Sequence, residues 1–297
     1  MQALRAPFFS ATLVPIFLGT AIALYTGSVF SFWPFFFTVI GMICIHAGVN
    51  LANDYFDHKS GNDALNQNPT PFSGGSRVIQ DGIIPAHHIL FASLLFLALG
   101  AAAGLYLNSL IPGNLILGLG IIGIGIGFFY TAPPLAASYH RLGELFVGIG
   151  FGPLMVVGSF VVQTGSFSLL PLLVSIPIGL LIAAVLYLNQ FPDVEADLKA
   201  GKKNFVNTIG KQKSVGVLTI GIALAFIWVL GLVAWQLIPW WALGVFLTAP
   251  IAWHVISHAQ KNYDKILELL PANASMITLN FLFGVLLILA FMAGAFL

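Results

Sequence analysis

The sequence predicts an all-α, polytopic membrane protein: nine transmembrane helices around a central cavity, amino terminus in the cytoplasm and carboxyl terminus outside. Three observations carry that reading: the composition, the spacing of the apolar runs and the face on which the charges collect. Of 297 residues, 59% are hydrophobic and only 7% charged, and the mean hydropathy is +0.97. A soluble domain carries about 25% charged residues, so this chain lacks the groups to cover a surface that faces water. A net charge of +1 says nothing about partners, and with no basic tract of the kind that tracks nucleic acid, no nucleic-acid partner is expected.

A spanning helix needs about 20 mostly apolar residues. Runs of that kind lie at 8–27, 31–54, 86–107, 112–130, 143–163, 168–190, 214–236, 240–259 and 273–296. The first has no small-residue cleavage site before further spans follow, so no cleavable signal peptide is expected. Cys44, the single cysteine, sits inside the second run and reads as a small buried hydrophobe. Some connections are short, such as NSLIPGN at 108–114, TGSFS at 164–168 and the turn at Pro239. Three are long and polar, at 55–85, 131–142 and 191–213, and would cap one face of a single domain spanning 1–297.

With nine alternating spans, one face receives the amino terminus and the connections after the second, fourth, sixth and eighth spans. That face collects Arg5, Lys59, Arg77, Arg141, Lys199, Lys202, Lys203, Lys211, Lys213, Lys261 and Lys265, which are all 11 basic residues. Lysine and arginine bias marks the cytoplasmic side. One miscounted span would scatter these charges over both faces, so the segregation also supports the count.

The acids gather there too. Asp54, Asp57, Asp63 and Asp81 lie at or after the end of span two, and Asp193, Glu195 and Asp197 follow span six, making seven of ten. The stretches echo each other: Asn50 precedes Asp54 by four residues, as Asn189 precedes Asp193. Four spans separate them, which suggests a duplicated four-helix unit plus one helix. Residues three or four apart share a helix face. Asn50, Asn53, Asp54 and Asp57 therefore make one polar edge, and Asn189, Asp193 and Asp197 a second. Two such edges facing each other need a compensating cation, because desolvating like charges costs several kcal/mol each. No Cys/His set has zinc spacing. Mg²⁺ prefers carboxylates together with substrate phosphate oxygens, and Lys59, Arg77, Lys199, Lys202 and Lys203 stand ready for remaining anionic oxygens. The walls are greasy, with 26 Phe in the chain, so the fitting ligand is a diphosphate on a long hydrocarbon tail. Ionising it leaves an allylic carbocation that aromatic faces can shield.

Two other readings compete. Acidic loops between spans are often merely solvated, but the spacing and its repetition argue otherwise. A cation or lipid transporter would carry ionisable groups near the bilayer midplane, whereas these spans are nearly free of charge at their centres.

Along nearly its whole length the chain resembles the UbiA superfamily of intramembrane prenyltransferases. The family's two Asp-rich motifs read here as Asn53-Asp54-Tyr55-Phe56-Asp57 and Asp193-Val194-Glu195-Ala196-Asp197. NDYFDHKSGND, GGSRVIQDGIIP (74–85), FYTAPP (129–134), LGELFVGIGFGPLMVVGSFVVQTG (142–165) and NQFPDVEADLKAGKKN (189–204) resemble the branch that prenylates 1,4-dihydroxy-2-naphthoate for menaquinone. Gly61 and Asp63 stand where 4-hydroxybenzoate-type members carry an aspartate at 61, which also points to the naphthoate branch.

The resemblance implies transfer of a polyprenyl group from polyprenyl diphosphate to that naphthoate with loss of CO₂, in a bacterial inner membrane with the site facing the cytoplasm. Another hydroxyaromatic acceptor, or terpene cyclisation with none, are the alternatives within the fold. It further implies Mg²⁺ on Asp54, Asp57, Asp193 and Asp197, supported by Asn50, Asn53 and Asn189. Diphosphate falls to Lys59, Arg77, Lys202 and Lys203. Tyr130, Tyr139, Tyr187, His46 and Glu144 are candidates around the acceptor and cation. For each there is a plainer role: interfacial anchoring for the tyrosines, an interhelical hydrogen bond for His46, and helix-dipole pairing for Glu144. His58 and His140 read as solvated. Pro133-Pro134 breaks the chain before the next helix, and Gly74-Gly75 provides a turn that lets the 55–85 connection act as a lid.

Overall fold

The structure, a computed structural model, describes residues 3–67 and 69–296. It is all-helical, and among the described residues there is no strand, only isolated bridge pairs. After a short 3₁₀ turn (Ala6–Phe9) come α1 (Ser10–Tyr25), α2 (Phe32–Ser60), the single turn α3 (Asn62–Leu65), α4 (Ala86–Leu110) and α5 (Leu115–Phe128). The second half holds α6 (Gly143–Ile149), a π-helical turn (Gly150–Leu154), α7 (Met155–Thr164), α8 (Leu169–Lys199), α9 (Phe205–Ile209) and α10 (Lys211–Ala234). A 3₁₀ stretch (Trp240–Thr248) leads into α11 (Ala249–Asn262), and α12 (Ile266–Phe296) closes the chain.

Among the described residues, seven segments are long and apolar enough to cross a membrane: α2, α4, α6 through α7, α8, α10, the 3₁₀ stretch with α11, and α12. The two shorter apolar helices, α1 and α5, fill the other positions where the sequence predicts spans. The outward surfaces of α4, α5 and α10 carry exposed Phe91, Leu99, Ile121, Ile220, Ile227 and Leu230. So broad an apolar exterior suits hydrocarbon and not water.

Two elements run further than hydropathy alone shows. Helix α2 continues past the apolar run to Ser60 and stops where Gly61 takes φ +81°. Helix α8 likewise runs on to Lys199, carrying its acidic face with it. The acidic motifs are therefore helical extensions of spans and not loops, which gives their carboxylates fixed directions. Helix α8 opens on Ser168, whose hydroxyl oxygen accepts from the Leu170 N–H and so satisfies one of the orphan donors of the first turn.

The main core lies between α1, α7, α8, α10 and α12, around Phe191, Phe283, Phe291, Leu188 and Leu218. A smaller one, of Ala3, Leu51, Val78 and Ile89, glues the N-terminal segment and the 61–85 connection onto α2 and α4. Close helix contact is made by small residues, as is usual in membranes. A Cβ on Gly152 would stand 2.8 Å from Gly179 Cα and 3.0 Å from the Ser175 carbonyl oxygen. Along α5 the effect is the reverse at Gly120 and Gly123, which line the cavity with open space where a Cβ would stand, whereas a Cβ on Gly127 would meet Val49 Cγ2 at 2.5 Å.

Candidate functional site

A cavity of about 800 Å³ opens between the helices and is overwhelmingly apolar in its depth, where Phe37, Ile45, Leu107, Leu119 and Met155 line it. That lies within the range of roughly 300–1,000 Å³ typical of ligand pockets. Its mouth is polar. Asp57 of the first motif, Asp63 on α3, and Asp193 and Asp197 of the second motif all border the same space, with Arg5 and Lys202 among them. Two acidic segments about 130 residues apart in sequence thus meet at one entrance.

The first motif is held tightly. Asp54, 2% exposed, accepts from Arg5 Nη2 at 2.5 Å and from the Ser76 backbone N–H at 3.2 Å, and the Ser76 hydroxyl closes on its other oxygen. It lies behind Arg5 and Ser76, outside the cavity lining. Asp57 accepts from Tyr139 O–H at 2.7 Å and from Asn53 Nδ2 at 2.8 Å. Asn53 Oδ1 in turn accepts from Arg5 at 3.0 Å. Asn50, also on the lining, donates to the Leu4 carbonyl at 3.1 Å.

In the second motif, Asp193 Oδ1 accepts from Asn66 Nδ2 at 2.8 Å. Asp197, 1% exposed, accepts from Asn204 Nδ2 at 2.8 Å. Lys202 Nζ lies 3.5 Å from its other oxygen, which has no hydrogen-bond donor. Asn189 accepts from Asn273 at 2.8 Å. Glu195, between the two aspartates, turns to the small cleft beside Lys199 and Lys211.

Lys202 is the hub. Burial alone would strip its proton, but Asp57 and Asp197 outweigh that and hold the ammonium well above its usual range. It also lies 5.5 Å over the Tyr139 ring. Burial raises the Tyr139 phenol, with the Asp57 charge adding to it, so Tyr139 stays a donor to Asp57. At Asp63 the cations do not prevail: burial, reinforced by Asp57 and Asp54, outweighs Arg5 and Lys202 and pushes its carboxyl up to about 8.

That value sets a sign. An unfolded aspartate titrates near 3.9, so protonated Asp63 contributes stability that is complete below that pH and lost as pH rises through about 8. In chelator, Asp63→Asn should therefore gain in melting temperature relative to the wild type from pH 5 to pH 8. A difference that stays constant over that range contradicts this burial.

The 61–80 connection forms a roof. Thr70, Ser73 and Ser76 line the cavity from above, and Asn66 and Ser76 tie the roof to one aspartate of each motif. Gly75 takes φ +73°, and a Cβ there would meet Asp63 Oδ2 at 2.5 Å. Gly75→Ala should cost about 1–2 kcal/mol from left-handed strain, with the clash adding to it, read as a fall in melting temperature. Wild-type stability in that variant contradicts the roof's packing.

The remaining residues singled out in the sequence divide clearly. Tyr130 and His46 line the cavity. Arg77 sits in the roof, where its guanidinium donates to the Asp63 and Asn66 carbonyls at 3.3 and 3.4 Å and pairs with Asp81 at 3.7 Å. Lys59 is exposed. Lys203 is engaged through its backbone, donating to the Tyr139 carbonyl at 3.1 Å while its own carbonyl accepts from Arg141 N–H at 2.9 Å. None of these three lines the cavity. Tyr187 is buried with its hydroxyl unpartnered, and Glu144 lies behind the lining with both carboxylate oxygens enclosed. Arg5, Asn62, Asn66, Ser76 and Gln190 are site residues that sequence reasoning did not single out.

The donor set fits a hard cation. Among the described residues, no three acidic, histidine or cysteine side chains converge closely enough to enclose an ion by themselves. Four carboxylates at one mouth, with the Asp197 and Asn62 oxygens lacking donors, suit an ion that completes its shell with water and phosphate oxygens.

Comparison with known proteins agrees with this architecture. A model of the UbiA prenyltransferase family matches residues 12–282. The chain is 30% identical over 295 residues to the 1,4-dihydroxy-2-naphthoate octaprenyltransferase of Bacillus subtilis (strain 168), covering 99% of this chain and 92% of that one. It is 28% identical to the 2-carboxy-1,4-naphthoquinone phytyltransferase of Synechocystis, covering 97% and 91%. The fold matches that of a UbiA homolog from Aeropyrum pernix K1 (TM-score 0.66, 18% identity, 93% and 94% covered). It also matches one from Archaeoglobus fulgidus bound to GPP and Mg²⁺ (TM-score 0.63, 17% identity, 97% and 99% covered).

Proposed function

The chain belongs to the UbiA prenyltransferase family, and we propose that within it this protein moves a polyprenyl group from polyprenyl diphosphate to 1,4-dihydroxy-2-naphthoate, giving the reduced, quinol form of demethylmenaquinone. The observation that carries the reading is the polar mouth on an apolar chamber, where both acidic motifs border one space. The 30% identity to a naphthoate octaprenyltransferase over 99% of the chain favours that acceptor over other hydroxyaromatic acids.

In this reading the diphosphate lies at the mouth and the prenyl tail runs into the depth of the cavity. Asp57, Asp193 and Asp197, with Asp54 behind them and Asn50, Asn53 and Asn189 beside them, would hold Mg²⁺. The bound ion supplies positive charge against the departing diphosphate. Lys202 and Arg5 take further phosphate oxygens, exchanging their present carboxylate partners for them. The C1–O bond breaks and its electron pair leaves with the diphosphate. The ring carbon that carries the carboxylate bonds to C1, and CO₂ departs, returning its electron pair to the ring. The aromatic wall and the roof keep water from the cation, which would otherwise give the prenyl alcohol. Tyr130, on the lining beside Lys202, presents a ring face to the developing charge.

The helices α1 and α5, 16 and 14 residues long, complete nine spans, with the basic face and the mouth toward the cytoplasm of a bacterial inner membrane. Mass spectrometry of the product formed from purified protein, Mg²⁺, a polyprenyl diphosphate and a panel of hydroxyaromatic acids tests the assignment. The decarboxylated, prenylated naphthalenediol is the expected product. A prenylated product that keeps its carboxylate, or a different preferred acid, contradicts the acceptor.

A further inference from the structure

Below the acidic mouth, on α2 one turn inside Asn50, His46 borders the cavity with a fixed side-chain partner. It is 7% exposed and lines the cavity. Its ring is clamped edge-on by Phe9 and Phe151, at centroid distances of 5.2 and 5.0 Å. Its Nδ1 lies 2.6 Å from Thr12 Oγ1, and Thr12 is 0% exposed.

This pair fixes a tautomer. A hydroxyl carries one proton, and a buried O–H left without an acceptor costs about 1–3 kcal/mol. Among the described residues, His46 Nδ1 is the acceptor within reach of the Thr12 hydroxyl. Thr20, further along the same helix, instead donates to the Ile16 carbonyl. Thr12 therefore donates to Nδ1, and the neutral imidazole carries its proton on Nε2. Nε2 is not among the enclosed atoms that lack a partner. With Nδ1 engaged and both ring edges packed, Nε2–H is the corner that the ring offers to the cavity.

We propose that His46 Nε2–H donates a hydrogen bond to an uncharged ring oxygen of the aromatic acceptor, the hydroxyl remote from its carboxylate, and that Thr12 is the positioning residue that sets this donor. The inference rests on the proposed function, since it needs an aromatic acceptor. The charged ends of both substrates have Arg5 and Lys202 at the mouth. His46 sits deeper, between two phenyl rings, where a neutral donor suits a neutral oxygen and a flat ring finds flat partners. The contact selects for a dihydroxy acid over one that lacks the second hydroxyl, because the deoxy analogue leaves the Nε2–H unpaired.

Steady-state kinetics with 1,4-dihydroxy-2-naphthoate and 1-hydroxy-2-naphthoate test the proposal. His46→Phe should raise the acceptor KM about five- to tenfold, the worth of one neutral hydrogen bond, and leave the prenyl diphosphate KM within about twofold. It should also erase the wild-type preference for the dihydroxy acid. His46→Gln, which keeps an N–H at a similar reach, should restore most of that preference, and Thr12→Val should weaken it while Thr12→Ser does not. In ¹⁵N-histidine spectra of the detergent-solubilised wild type, His46 should show the Nε2–H tautomer, a readout independent of turnover. The Nδ1–H tautomer, a preference unchanged in His46→Phe, or both KM values rising together overturns the proposal. A wild type that turns over no hydroxyaromatic acid removes the functional reading itself, and the acceptor contact with it.

Discussion

Asp193→Ala and Asp54→Ala should each lower prenyl transfer to less than about a tenth of wild type while the protein still folds in detergent, since metal and general-acid roles usually cost more than that. The two substitutions act from different places. Asp193 borders the cavity and is held by Asn66 of the roof. Asp54 stands one layer back, where it aligns Arg5 and Ser76. Removing Asp193 deletes a cation ligand directly. Removing Asp54 leaves the Arg5 guanidinium without its anchor and the roof without one of its ties. Single-turnover rates at saturating Mg²⁺ check both. Activity above about a tenth of wild type in either variant would remove that residue from the machinery.

Lys202→Met should produce the second large effect. The side chain is 13% exposed and its ammonium faces Asp197 at 3.5 Å, with Asp57 also acting on it. Removing one partner from a buried charge set leaves the others uncompensated, which costs about 3–5 kcal/mol. In chelator the variant should melt well below wild type, and Mg²⁺ should recover part of the loss by supplying the missing charge. The KM for prenyl diphosphate should rise at least tenfold, because a charge-assisted contact to phosphate is lost. Lys203→Met, next door, should change that KM by less than about twofold, since Lys203 is held through its backbone. Equal effects from the two lysines would contradict the geometry.

The contrast between those neighbours marks where sequence reading stops. The all-helical, membrane-spanning character follows from apolar length and composition alone, because both are local properties. The acidic edges were legible for the same reason: spacing of three and four residues is a local rule that needs no tertiary knowledge. Lys59 shows the limit of proximity. It follows Asp57 by only two residues, yet at 100° per residue that turns it roughly 200° away from the carboxylate, and it is exposed.

Arg5 was hidden for a different reason. It lies 49 residues before Asp54, in a segment with no periodic signal, and reaches the site only because Ala3 and the following turn pack with Leu51, Val78 and Ile89. Asn66, Ser76 and Thr12 were hidden likewise. Each is an ordinary polar residue whose partner lies across the fold, and single-letter composition does not encode such pairings. The roof's role could be suspected from Gly74-Gly75, but its ties to both motifs depend on where α3 and the loop land.

Binding of a non-ionisable prenyl thiodiphosphate to purified wild type, Asp57→Asn and Asp197→Asn, with and without Mg²⁺, tests most directly whether two distant acid sets grip one ligand. Tight, Mg²⁺-dependent binding in the wild type, weakened at least tenfold in each variant alone, is the expected result. Binding that needs no divalent ion, or that ignores the loss of either motif's carboxylate, would contradict it.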